Sequence, residues 1–157
     1  MPAKHVPTRV RSRRGSFGDV ELRQLAVSAL ARHAGPAPNA EALATAARRA
    51  YDDLARVAAP LIGQVGVDAL TGRALHLTQR EYPWLNRAQE PEQWKGPSEQ
   101  IMFCLERQDP AVATEAAGAV FGTFIGLLVT FIGEPLTEGL LRQAWPDAFF
   151  DAGTEET

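Results

Sequence analysis

One cysteine, two lysines, two tyrosines and three histidines are all that this 157-residue sequence holds of those residue types, and each shortage removes a class of protein. Cys104 alone cannot close an internal disulfide, which excludes a disulfide-stapled scaffold. His5, His33 and His76 stand far apart, with no second ligand at metal-binding spacing, so neither a metal site nor a cofactor is expected. No stretch alternates polar and apolar residues long enough to argue a strand. No apolar run follows the basic N-terminus in the manner of a secretory signal, which makes the cytoplasm the expected location. Gly15, Ser16, Phe17 and Gly18 lack both the spacing and the preceding strand of a nucleophile elbow.

Acidic residues are missing from the first 18 positions, where Lys4, Arg9, Arg11, Arg13 and Arg14 give +5. The remainder carries 11 basic and 19 acidic residues, or −8. Phosphate contact needs concentrated Lys and Arg, so the folded body is not expected to bind nucleic acid. Residues 1–18 read as a disordered basic arm able to touch an anionic surface, and residues 149–157 as a disordered acidic tail. Arginine outnumbers lysine 14 to 2, a bias expected of a GC-rich bacterial genome. With 45% apolar residues, a chain of this length can bury roughly 70% of its unfolded surface, enough for one real core.

Helical periodicity fills residues 19–148 and predicts an all-α, single-domain bundle of about six helices. Asp19 is the expected cap of a first helix with Leu22, Leu25, Ala26, Ala29 and Leu30 as its stripe, ended by Gly35 and Pro36. Asn39 opens a second, with Leu43, Ala47, Tyr51, Leu54 and Ala58 inward, and Pro60 at its end. Its Arg48 and Asp52, and its Arg49 and Asp53, are spaced for surface ion pairs. Gly63 and Gly66 make the next stretch irregular, and a third helix is expected from about Val67 to Tyr82. Residues 83–97 read as a proline-stiffened loop in which Trp84 and Trp94 either close the bundle end or anchor a partner. Ser98 is the expected cap of a fourth helix carrying Ile101, Met102, Cys104 and Leu105. Asp109 followed by Pro110 starts a fifth, and Leu136, Leu140, Leu141 and Trp145 line the last.

The fifth helix is the unusual one. From Ala116 to Gly133 there are 18 residues without a charge, and the large apolar side chains occupy every side of the cylinder. Such a helix is buried in protein or in lipid. Gly118, Gly122 and Gly126, four residues apart, form one row where another backbone can approach closely. Three interior glycines cost roughly 3 kcal/mol relative to alanine, which a tight crossing would offset. The five other helices each show a one-sided stripe in need of a partner, so residues 110–133 are expected at the centre of the bundle. The alternative is a membrane span with the N-terminal body in the cytoplasm.

Two short resemblances complete the reading. Gly63, Gln64, Val65 and Gly66, after Leu61 and Ile62, resemble the loop of a KH nucleic-acid-binding domain, but without a basic side chain or flanking strands they read as a helix-breaking turn. His76, with Arg73 three before and Arg80 four after it, resembles the site of a histidine phosphotransfer bundle, which would make His76 a phosphoacceptor and the arginines its anion clamp. The glycine and lysine pattern usual after that histidine is absent. The preferred expectation is a non-enzymatic helical interaction or regulatory module whose partner is itself, through Gly118, Gly122 and Gly126, or another protein.

Overall fold

The computed structural model describes residues 18–86 and 96–148, and every regular element among them is helical. Polar caps and glycines set the boundaries. α1 (Asp19–Ala34) is capped one residue earlier than expected: the Gly18 N–H donates to Glu21 Oε1 at 2.9 Å, and Asp19 is already helical. Gly35, at φ 80°, ends it. α2 (Ala40–Thr78) opens where Asn39 Oδ1 accepts from the Ala42 N–H at 2.7 Å. α4 (Pro110–Ile132) opens where Asp109 Oδ2 accepts from the Ala111 N–H at 3.1 Å, with Pro110 in the first turn. α3 (Pro97–Leu105) follows Gly96 and receives no side-chain cap, so Ser98 does not play the part expected of it. α5 (Glu134–Ala144) begins directly after Gly133.

α2 is two rods. Gly63 (φ 82°, ψ 157°) breaks it into an N-terminal part, α2a (residues 40–62), and a C-terminal part, α2b (residues 64–78). Tyr51 Oη and Thr71 Oγ1 lie 2.9 Å apart, whereas 20 residues of straight helix would separate them by about 30 Å. The two halves therefore fold back on each other. Pro60 stays inside α2a and Gly66 is helical, so the break is a single residue and not the irregular stretch expected over Pro60 to Gly66. α2b ends at Thr78, short of Tyr82, and Pro83–Leu85 forms a 3-10 turn within the expected loop. With α2a and α2b counted separately, α1 to α5 make six helices among the described residues.

α4 packs against α1, α2, α3 and α5 and occupies the centre of the bundle. Phe121, Phe124, Ile125 and Leu128 are fully buried on it. Full burial of each such side chain stabilises by about 1.5–3 kcal/mol. The Tyr51 ring stands 6.3 Å from Phe121 and 6.4 Å from Phe124, spacings at which aromatic rings attract each other. Trp145, just past α5, is buried and donates Nε1–H to the Ala50 carbonyl at 3.0 Å, which ties the end of the bundle to α2a. The stripes read for the first and second helices are all buried. Leu136 departs from its stripe and is exposed. The charged face of α2a also differs from expectation. Arg48 reaches Glu99 of α3 at 3.8 Å and Asp53 meets His33 of α1 at 3.5 Å, because packing brings those helices alongside, while Asp53 also engages Arg56 one turn later on its own helix at 3.1 Å.

Candidate functional site

The glycine row is where the bundle is tightest. A Cβ on Gly118 would stand 2.8 Å from Val27 Cγ2 and 3.3 Å from the Arg23 carbonyl oxygen. On Gly122 it would meet Arg23 Cγ at 3.0 Å and the Arg23 backbone nitrogen at 3.1 Å, and on Gly126 it would touch Leu22 Cδ1 at 3.7 Å. The row faces α1 of the same chain. Of the two uses read for Gly118, Gly122 and Gly126, the close helix crossing is made within the chain, against α1.

Beside the row lies a cleft of about 380 Å³ between the start of α1, the end of α2b and α4, lined among others by Asp19, Arg23, Glu81, Gly126 and Leu127. Arg23 closes one side. Its two terminal nitrogens donate to the Glu81 carboxylate at 2.9 and 3.2 Å. That hydrogen bonding, with the charge of Arg23 as a lesser cause, holds the Glu81 carboxyl below its ordinary range and raises Arg23 in turn. Burial pushes the Tyr51 phenol above its usual value, opposed by its bond to Thr71. Neither the pair nor the cleft was foreseen, since 58 residues separate Arg23 from Glu81 and no local pattern joins them.

The same end of the bundle exposes large apolar side chains. Phe131 near the end of α4 is 67% exposed, Leu136 in the first turn of α5 is 53%, and Val20 in the first turn of α1 is 67%. Gly133, at φ 95° and ψ 158°, joins α4 to α5 in a single residue and puts Phe131 and Leu136 on the two arms of one corner.

The other sequence candidates are not brought to this end. His76 is exposed on α2b with Arg73, and Arg80 is exposed in the turn that follows Thr78. Trp84 is half-buried in the 3-10 turn, edge-on to Tyr82 with ring centroids 5.9 Å apart. Beside it the Leu85 carbonyl accepts from Gln100 Nε2 at 2.8 Å, which fastens this turn to α3. Trp94 lies outside the described residues, as do residues 1–17 of the basic arm and the tail 149–157. Among the described residues no group of three or more His, Cys, Asp or Glu side chains is placed to hold a metal ion. α4 is long and apolar enough to cross a membrane, and of an 18-residue apolar stretch within it 56% is buried in the bundle. No family model, no curated protein and no solved structure matches this chain.

Proposed function

We propose that this chain is a non-enzymatic, cytoplasmic interaction module that acts by docking a protein segment on the corner where α4 meets α5. The observation that carries this reading is the exposure of Phe131, Leu136 and Val20 at one end of a helix bundle whose other inward stripes are covered. Leu61, Val65 and Val112 are exposed elsewhere on the bundle, but only at this end do exposed apolar side chains stand beside the carboxylates of Asp19 and Glu134, the chemistry of a docking site. The segment comes from another protein or from a second copy of the chain. Selection of random peptides on the immobilised full-length chain tests it. Peptides are expected to bind at least about tenfold more weakly, some 1.4 kcal/mol, to a Phe131→Ser/Leu136→Ser variant. Equal binding to both proteins overturns the reading.

The hydropathy of α4 favours a second reading, a membrane span over residues 110–133. Insertion would strip Phe121 and Phe124 of Tyr51 and leave the stripes of the surrounding helices uncovered. Cell fractionation separates the two. Recovery in the soluble fraction supports the module, and release only by detergent supports the span.

A further inference from the structure

We propose that the resident occupant of this corner is the chain's own basic segment, residues 4–17, lying across Phe131, Leu136 and Val20 with its arginines toward the carboxylates of that end. The inference rests on the docking reading above and specifies its ligand chemistry: a basic segment carrying spaced apolar residues.

Continuity places the segment there. It joins α1 through Gly18, and Asp19 lines the cleft together with Gly126 and Leu127 of α4, so the segment departs from the end that exposes the apolar side chains. Reach is sufficient, since 17 residues span up to about 55 Å when extended. The charges are complementary. Residues 4–17 carry five cations and no acid, while Asp19 and Glu134, in the first turns of α1 and α5, make no ion pair within 4 Å among the described residues, Asp19 having only the weaker attraction of Arg23. Val6, Val10 and Phe17 supply apolar contacts to match the corner.

The same charges disfavour the rival occupants. An anionic lipid surface would meet Asp19 and Glu134 beside the apolar side chains and be repelled by them. A two-fold pair of chains meeting at this corner would bring two +5 segments together. Covalent attachment favours the segment further, because a tethered ligand acts at an effective concentration of order millimolar.

Lys4, one of only two lysines in the chain, gives a direct test. The full-length protein is treated at high dilution with a water-soluble carbodiimide, which condenses an amine with a carboxylate in contact, and the links are mapped by mass spectrometry. An intramolecular amide from Lys4 to Glu134 or Glu138 of α5 is expected. Its yield should fall about tenfold both in Phe131→Ser/Leu136→Ser and in a variant with Arg9, Arg11, Arg13 and Arg14 replaced by Gln, if the tether's concentration advantage is realised only through both contacts. Links to Asp68 or Glu106 at equal yield overturn the proposal, as does loss in the arginine variant alone. Isotope mixing that shows the link only between chains assigns the corner to a second copy. Abolition of the link by phosphatidylglycerol vesicles, but not by phosphatidylcholine vesicles, assigns the segment to lipid. If the segment fails to link while selected peptides still need Phe131 and Leu136, this inference falls and the docking reading stands.

Discussion

The middle of α4 and its last turn are alike in sequence and opposite in fate. Both are apolar, and no charge interrupts residues 116–133. Yet Ala116 to Phe121 is a continuous buried run, while Val129 to Ile132 is at best half-covered. The difference lies in what can approach. Gly118 and Gly122 let the backbone of α1 come within contact distance, and α1 seals the middle of α4. α1 has 16 residues against the 23 of α4, a difference of about 10 Å in length. Because α1 begins beside Leu127, the shortfall exposes the C-terminal end of α4. Hydropathy says that a helix needs cover. The lengths of its neighbours decide which part receives it.

Substitutions that treat the two stretches differently can break this comparison, and the largest effect is expected at the crossing. Gly122→Leu drives a branched side chain into the Arg23 backbone and should cost about 3 kcal/mol or more, lowering the melting temperature by roughly 10 °C in a circular-dichroism melt. An unchanged melt would mean that α1 does not lie on the row. Gly63→Ala places a Cβ at φ 82° in the joint of α2 and should cost about 1–3 kcal/mol by urea titration, although open space surrounds it. Strain alone would be at work there, a contrast with the steric clash at Gly122.

Thr71→Val deprives the buried Tyr51 hydroxyl of its partner and should cost about 1–2 kcal/mol. Alkali probes the same place. A phenol whose pKa is raised on folding contributes stability that is full below pH 10.0 and fades above it, so less than half of the tyrosinate absorbance should have developed at that pH in the folded chain. Half-development at pH 10.0, reached equally in urea, would contradict burial of Tyr51. Smallest of all is Phe131→Ser, expected within about 0.5 kcal/mol of the parent in the same urea assay, because its side chain loses little by meeting water. A loss comparable to that of Gly122→Leu would show that the last turn of α4 is as structural as its middle.

Much of this fold is legible in the amino-acid sequence because it is decided locally. Asn39 and the Asp109–Pro110 pair open helices where their chemistry says they should, and the stripe from Leu43 to Ala58 repeats at helical spacing and is buried. Caps also mislead locally: Asp19 and Ser98 look like N-caps, but glycines one and two residues earlier take the place. Positions that depend on distant packing were not legible. Arg48 has Asp52 one turn away and still turns to Glu99, since docking of α3 sets the nearest carboxylate. The glycine row marks a close approach, but its spacing is the same whether α1 or another chain arrives. The apolar corner was hidden for a similar reason, as Leu136 fits its stripe by period and misses the core by position.

Cys104 offers a clock for motions of the bundle. It is 1% exposed, and its Sγ sits 3.6 Å from the Leu85 carbonyl beneath the short helix α3. A thiol reagent can reach it only after α3 swings away or the entire chain opens. Labelling rates followed through increasing urea therefore separate the two events, since a local swing is insensitive to denaturant and a global opening is not. The scarcest side chain in the molecule becomes its most discriminating reporter.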